Sequence, residues 1–182
     1  SRSLFVAVGY SGTIIRSTNT GLSFSVQTSG TTVTLRGVGC YSSTCVAVGS
    51  SGTILRSTNS GSSWLKITSP KTNTLYGVAF GSTTSGVIVG SSGTVLYTSD
   101  GGRTWKVGTT PSTYTMYSPV AIDSQRYLLV DSNGRFLASA NGGKDWTFHS
   151  PSLSTGLYSF TLNASLGMAV GSYATQVLYT KP

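Results

Sequence analysis

The stretch VAVGSSGTILRSTNSGSSW, from Val46 to Trp64, recurs along the chain with few changes. Two close copies, one weaker copy and one truncated copy run, in turn, from Val6 to Phe24, from Val87 to Trp105, from Leu128 to Trp146 and from Met168 to Thr180. One equivalent position is occupied by Gly9, Gly49, Gly90, Asp131 and Gly171, which lie 40, 41, 41 and 40 residues apart. A period this regular indicates a repeat architecture in which each copy forms the same supersecondary unit.

Every copy predicts four short strands, which we call strands A to D in chain order. In the second copy they are LRGVGC, TCVAVG, TILRST and WLKIT, and the B–C turn ends in a glycine, which suits a tight hairpin with positive φ. Such units are typical of the four-stranded antiparallel blades of a β-propeller, and the absence of a 3.6-residue period excludes a helical repeat. We therefore predict an all-β fold, a single β-propeller domain or part of one over residues 1–182, with blades at roughly 1–30, 31–70, 71–111, 112–152 and 153–182.

The two ends of the chain leave their blades incomplete. The first unit holds strands B, C and D and the last holds A, B and C, which makes about 4.5 blades of 40 to 41 residues. We expect an internal fragment of a larger propeller or the ordered part of a longer protein. The alternative is a five-bladed ring with two three-stranded blades, whose open edges would be available for association.

The turn between strands C and D carries the most specific motif. The segment TSDGGRTW, from Thr98 to Trp105, fits the Asp-box consensus S/T-x-D-x-G-x-T-W/F, and Asn replaces Asp in three other copies. The Asp or Asn side chain can accept backbone N–H groups, the glycine supplies an unusual φ, and the aromatic ring fills the space beside the hairpin. We predict a structural role for Ser17, Asn19, Gly21, Phe24, Ser57, Asn59, Gly61, Trp64, Thr98, Asp100, Gly102, Trp105, Ser139, Asn141, Gly143 and Trp146.

These blades resemble those of Asp-box (bacterial neuraminidase repeat) propellers and, more closely, those of the photosystem II assembly and stability factor family. The segment LYGVAFGSTTSGVIVGSSGTVLYTSDGGRTW, from Leu75 to Trp105, shows the likeness, which extends over nearly all of the chain. The resemblance implies the blade architecture more than a particular function, because many secreted proteins contain such blades. It also implies binding through a basic face of the propeller.

The composition restricts the class of partner. Twelve Lys and Arg residues against four Asp and no Glu give a net charge of +8, so we expect a protein partner with an acidic surface. The longest apolar runs are far shorter than the roughly 18 residues that a transmembrane helix requires, so we expect no transmembrane segment. No run of basic residues and no nucleic-acid motif is present, so we expect no nucleic-acid partner.

The cysteines indicate the compartment. Cys40 and Cys45 flank the turn-like segment YSST, and a hairpin would bring them within bridging distance. We predict a disulfide, with two free buried thiols as the alternative. A disulfide favours an oxidising compartment, either the extracellular space and cell surface or the thylakoid lumen. Asn163 opens an Asn-Ala-Ser sequon and is a candidate N-glycosylation site.

Residues suited to catalysis are sparse. Sialidases, which the Asp-box family includes, use a Tyr nucleophile paired with Glu, and this chain contains no Glu. Asp100 and Asp145 belong to C–D turns, and the expected role of Asp123 and Asp131 is to cap loops. The single His149 has no nucleophile-elbow motif, and two cysteines make a poor metal site. We predict no enzymatic activity, no cofactor and no metal.

Two repeat positions carry Arg in some units and Tyr in others. Strand C has Arg16 and Arg56, replaced later by Tyr97, and strand A has Arg36, replaced later by Tyr76, Tyr117 and Tyr158. Because repetition puts equivalent positions at equivalent radius and height, we expect these residues to form arcs on one surface. One interpretation is ordinary solvated or inter-blade side chains. The other is a partner-binding face, with Arg offering bidentate contacts and Tyr amphipathic area.

Three functions are compatible with the sequence. The first is a non-catalytic propeller module for protein–protein interaction or structural assembly in an extracellular or lumenal setting. The second is a photosystem II assembly factor-like chaperone in the thylakoid lumen. The third is a lectin-like, glycan-binding module with pockets between blades.

Overall fold

The computed structural model describes residues 3–149, 155–162, 166–172 and 176–180. These residues form eighteen strands in five antiparallel sheets, of which the first and last have three strands and the others four. The predicted all-β propeller architecture is confirmed, and the first and last sheets are incomplete. In the described ranges, no helix has the length and apolar character needed to cross a membrane.

The strands follow one another in space as they do along the chain. The first sheet contains β1 (Phe5–Val8), β2 (Ile14–Ser17) and β3 (Ser25–Gln27). The second contains β4 (Leu35–Tyr41), β5 (Thr44–Gly49), β6 (Ile54–Ser57) and β7 (Leu65–Ile67). The third contains β8 (Leu75–Phe80), β9 (Gly86–Gly90), β10 (Val95–Thr98) and β11 (Lys106–Val107). The fourth contains β12 (Val120–Ala121), β13 (Tyr127–Val130), β14 (Phe136–Ser139) and β15 (Thr147–His149), and the fifth contains β16 (Leu157–Leu162), β17 (Leu166–Gly171) and β18 (Gln176–Thr180).

The core lies between neighbouring sheets. Val46 and Ile54 of the second sheet pack with Leu75, Ile88 and Trp105 of the third in one buried cluster. Equivalent clusters join the first sheet to the second and the third sheet to the fourth. Each sheet therefore buries its apolar faces against its neighbours, as expected for propeller blades.

The aromatic residue of each C–D turn packs against the preceding sheet. Trp64 belongs to the cluster that contains Val6 of the first sheet, and Trp146 belongs to the cluster that contains Val87 of the third. Phe24, in the first sheet, has no earlier described sheet to pack against and is 50% exposed. Burial of this aromatic is thus decided by the neighbouring sheet.

The C–D turns are held by hydrogen bonds from their own side chains. The Asn59 Oδ1 atom accepts the Ser63 N–H at 2.9 Å, and the Ser57 hydroxyl accepts the Gly61 N–H at 2.9 Å. The turns that begin at Ser17, Thr98 and Ser139 repeat both bonds with lengths of 3.0 to 3.1 Å. Asn and Asp perform the same capping role here because each presents an oxygen to the backbone.

Cys40 and Cys45 form a disulfide, as predicted. They are directly paired residues of β4 and β5, and their Cα atoms are 4.1 Å apart. The hairpin itself therefore brings the two thiols together. The candidate glycosylation site Asn163 lies outside the described residues.

The B–C turns need glycine for two reasons. Gly52 has φ of +65°, and a Cβ atom built on it would lie 2.0 Å from the Lys71 carbonyl oxygen. Gly93 has φ of +65° and the same close approach to the Ser112 carbonyl oxygen. The turn glycine is therefore needed both for its φ and for the connection from strand D to the next blade, which packs directly on it.

Replacement of Gly52 by Ala should therefore destabilise the fold more than replacement of Gly30. Gly30 also has positive φ, of +72°, but nothing lies within 4 Å of its built Cβ. We expect Gly30→Ala to cost about 1 kcal/mol for the left-handed backbone and Gly52→Ala at least about 3 kcal/mol, because a steric clash is added. Urea unfolding followed by tryptophan fluorescence measures both. Equal losses in the two variants would contradict the close packing at Gly52.

Asp100 should make stability depend on acid pH. Partial burial raises the pKa of Asp100, but hydrogen bonds from Thr104, Thr98 and the Arg103 N–H outweigh this effect and lower its pKa from 3.8 to about 2. A lowered folded-state pKa contributes stability above pH 4 that is lost as the pH falls from about 4 towards 2. Asp100→Asn, which copies the other three turns, should therefore lose less stability than the wild type between pH 6 and pH 2.5.

The measurement is the urea midpoint at both pH values, with Asn59→Asp as the reciprocal variant. Asn59 occupies the equivalent position in the second sheet and bonds its Oδ1 to the Ser63 N–H. We expect Asn59→Asp to increase the loss of stability in acid. Identical pH dependence in wild type and Asp100→Asn would show that the Asp100 carboxylate gains nothing on folding.

Candidate functional site

Strand A is irregular at the position where the repeat alternates between Arg and Tyr. The pairing of β4 with β5 skips Arg36, the pairing of β8 with β9 skips Tyr76, and the pairing of β16 with β17 skips Tyr158. Each is the extra residue of a β-bulge, which interrupts the ladder and re-aims a side chain. The bulge explains why this position differs from the flanking apolar residues of the strand.

The glycine that follows the bulge brings neighbouring A strands together. A Cβ atom built on Gly37 would lie 2.4 Å from the Tyr76 carbonyl oxygen, and one built on Gly77 would lie 2.3 Å from the Tyr117 carbonyl oxygen. The backbone of each of these strands therefore contacts the backbone of the next sheet. This contact places the side chains at the Arg/Tyr position of successive sheets next to one another.

The side chains at this repeat position, three of them on bulges, form a continuous stack, which we call the tyrosine arc: Arg36, Tyr76, Tyr117 and Tyr158. The Arg36 guanidinium carbon lies 5.4 Å from the centre of the Tyr76 ring. The Tyr76 and Tyr117 rings are 5.2 Å apart, and the Tyr117 and Tyr158 rings are 5.4 Å apart and nearly perpendicular. Both distances are typical of favourable aromatic pairs, and the guanidinium at one end makes a cation–π contact. The arc joins four sheets.

The tyrosine arc lies beside the B–C turns. Arg36 Nε donates to the Ser50 hydroxyl at 3.3 Å, and the Tyr158 hydroxyl is 2.7 Å from the Ser172 hydroxyl. Arg36 is exposed and Tyr158 is 48% exposed, while Tyr76 and Tyr117 are partly buried. The tyrosine arc therefore lies at the end of each blade where strand B turns into strand C.

The phenol groups in the middle of the arc are available as hydrogen-bond donors. Within the described part of the chain, the hydroxyls of Tyr76 and Tyr117 make no hydrogen bond. Burial raises the pKa of Tyr117 above 10, and the neighbouring Tyr76 and Tyr158 raise it further. The Tyr117 hydroxyl therefore keeps its proton at physiological pH.

Charge around the B–C turns is positive. In the described ranges, the one carboxylate in a B–C turn is Asp131, which is fully buried and ion-paired with Arg135 at 2.8 Å. Arg36 and Lys71, by contrast, are exposed and make no ion pair in those ranges. This end of the molecule therefore attracts anionic groups.

The Arg and Tyr residues of strand C have a different role. Arg16 Nε donates to the Ser60 carbonyl at 2.7 Å, and Arg56 Nε donates to the Gly101 carbonyl at 2.6 Å, each in the C–D turn of the next sheet. Tyr97 is partly buried and packs against the buried cluster between the third and fourth sheets. These three residues lie near the C–D end of strand C, whereas the tyrosine arc lies beside the B–C turns. The structure thus separates the two sets that we expected on one surface.

Sequence reasoning missed a second guanidinium site, in the fourth sheet. Arg135 lies between the rings of Tyr114 and Phe148, with its guanidinium carbon 4.7 and 4.4 Å from their centres. Its Nη2 atom also donates to the Ser112 hydroxyl at 2.9 Å, and that hydroxyl donates to Asp131 at 2.8 Å. The sequence does contain a signal for this site: the B–C turn of the fourth unit reads DSNGR, with two charged residues, where two other units read GSSGT.

The carboxylates do not assemble into an acid–base pair. Asp100 caps its C–D turn, Asp123 accepts from Arg126 and two backbone N–H groups, and Asp131 is engaged by Arg135. The described residues contain no group of three side chains suited to a metal ion. These carboxylates therefore accept hydrogen bonds within turns or form ion pairs.

The fold of this chain is similar to the folds of several solved structures. YCF48 bound to D1 peptide is 18% identical, with a TM-score of 0.75 over 98% of this chain and 60% of that one. YCF48 from Cyanidioschyzon merolae is 19% identical, with a TM-score of 0.74 over 99% of this chain and 64% of that one. An ancestral GH74 enzyme is 17% identical, with a TM-score of 0.77 over 98% of this chain and 28% of that one.

The chain thus spans about 60% of the length of the YCF48 structures that it resembles. No curated protein sequence matches it. The family model described as photosynthesis system II assembly factor YCF48 matches residues 56–157, more than half of the chain. Fold and sequence agree, and the chain belongs to the photosynthesis system II assembly factor YCF48 family.

Proposed function

We propose that this protein is a non-catalytic binding module that holds a protein partner during assembly of photosystem II. The tyrosine arc is the observation that supports this function. It offers one exposed guanidinium and three tyrosine rings at the end of the molecule where no exposed carboxylate belongs to a B–C turn among the described residues. Tyr and Arg are the residues most often found at the energetic centre of protein interfaces.

Family membership supports the choice of partner. In one related structure, a YCF48 protein is bound to a D1 peptide. A peptide from the same protein is therefore the first partner to test. The positive charge at the B–C turns favours a segment of the partner that carries carboxylates.

The absence of catalysis is part of the proposal. The sequence contains no Glu, and its four Asp residues cap turns or form ion pairs. The likeness to an ancestral GH74 enzyme is a likeness of fold, and a propeller fold can carry many functions. Turnover of a fluorogenic sialidase substrate by the purified chain would contradict this point.

We place the protein in the thylakoid lumen. The Cys40–Cys45 disulfide favours an oxidising compartment, which the lumen and the extracellular space both provide. Membership of a photosystem II assembly factor family supports the choice of the lumen in this proposal. An extracellular assembly module is the alternative, and the location of the tagged full-length protein in its own cell distinguishes the two.

Binding to D1 peptides tests the proposal. Fluorescein-labelled synthetic peptides that span the D1 sequence are titrated with the protein, and fluorescence anisotropy reports binding. We expect at least one peptide to bind, and we expect Arg36→Gln and Tyr117→Ser each to weaken that binding about tenfold, the loss typical of an interface centre.

Tyr41→Ser is the matched control. Tyr41 is partly exposed and lies on β4, as Arg36 does, but at the opposite end of the strand, where it pairs with Thr44. Its replacement should change peptide affinity less than twofold. A failure of every D1 peptide to bind, or binding that the arc variants leave unchanged, would overturn the proposal.

A further inference from the structure

We propose that the tyrosine arc recognises a short proline-rich segment in the extended polyproline II conformation, with an acidic residue next to it that pairs with Arg36. This inference rests on the proposed function, because it specifies which peptide chemistry the arc accepts. It goes beyond that function in naming a conformation, a length and the position of the acid, each of which can be tested apart from D1.

The length follows from the spacing of the arc. Along the arc, three steps of 5.2 to 5.4 Å lead from Arg36 to Tyr158, so these steps set an upper limit on the distance between the two ends. A polyproline II segment rises about 3.1 Å per residue, so about five residues cover the longest path from the guanidinium to the last ring. A core of five residues, flanked by an acid, is therefore long enough to reach across the arc.

The conformation follows from what the arc offers. It offers three neighbouring tyrosine rings, two partly buried and one half-exposed, together with the hydroxyls of Tyr76 and Tyr117, which make no hydrogen bond in the described part of the chain. Polyproline II segments have no internal hydrogen bonds, so their carbonyl oxygens are free to accept from such phenols. Proline-rich segments dock in aromatic-lined grooves in this way, at low cost in conformational entropy.

The acid follows from the charge at one end. Arg36 spends Nε on the Ser50 hydroxyl and has no carboxylate partner among the described residues, so its remaining donors are open to a ligand. A carboxylate can accept two parallel hydrogen bonds from a guanidinium. At the other end of the arc, the Tyr158 hydroxyl bonds the Ser172 hydroxyl, so the charge preference applies to the Arg36 end only.

Three labelled peptides test the proposal. The first is Glu-Pro-Pro-Ser-Pro-Pro-Glu, with an acid at both ends so that either chain direction places a carboxylate at Arg36. The second has Gln for both Glu residues, and the third has Gly for all four Pro residues. We expect the second peptide to bind about fivefold more weakly than the first, and the third about tenfold more weakly.

A double-mutant cycle locates the acid. Arg36→Gln should remove the difference between the Glu and Gln peptides, because the cycle isolates the interaction of the two changed groups. Tyr117→Phe keeps the stacked ring and removes only its hydroxyl, so it should weaken both peptides without loss of stability, which a urea midpoint checks. Equal binding of the Glu and Gln peptides, equal binding of the Pro and Gly peptides, or no effect of either variant would overturn the inference.

The two proposals can fail independently. If a D1 peptide binds through the arc and the proline peptides do not bind, the proposed function stands and the polyproline inference is wrong. If the acidic proline peptide binds through the arc and no D1 peptide binds, the inference stands and the assembly role is wrong.

Discussion

The close approach of the A strands of neighbouring sheets is the constraint on which the rest of this structure depends. At Gly37 and Gly77 the absence of a side chain allows the backbone of one sheet to contact the carbonyl of the next. A single Cβ atom at either position would push the sheets apart. The inter-sheet cores, which bury Val46, Ile88 and Trp105, require the same separation. The stacking in the tyrosine arc is a further consequence, since Arg36 and Tyr76 directly precede these two glycines.

Departures from the repeat show where this constraint has been relaxed. Asp131 stands where the four other units have a glycine, and for Gly49 and Gly90 a Cβ would meet a carbonyl oxygen at 2.2 and 2.4 Å. In the fourth sheet strand A is reduced to Val120–Ala121, and only an isolated bridge joins Met116 to Asp131. The buried carboxylate is satisfied by Ser112, Arg135 and backbone N–H groups, as a buried charge must be. At this position of the fourth sheet, an ion-pair network therefore stands where the second and third sheets have ladder hydrogen bonds.

Four arginines of the described ranges have three separate roles, which depend on their place in the blade. On strand C, Arg16 and Arg56 bind carbonyl groups of the next sheet and so strengthen the contact between blades. In the fourth sheet, Arg135 is enclosed by two rings and neutralised by Asp131. On strand A, Arg36 faces solvent without a carboxylate in the described ranges. Of these four, Arg36 alone is exposed, which is why our proposal rests on its position and not on the net charge.

The sequence by itself determined the repeat, the four strands of each unit, the incomplete first and last sheets and the disulfide between Cys40 and Cys45. All of these depend on residues near one another in the chain, where turn chemistry and alternation act directly. The sequence also showed that Arg36, Tyr76, Tyr117 and Tyr158 are equivalent. Only the tertiary structure decided that they stack while Arg16, Arg56 and Tyr97 lie elsewhere, and that Phe24 stays exposed while Trp64 is buried. The physical reason is that these outcomes depend on contacts about 40 residues apart in sequence, which form only when one blade packs on the next.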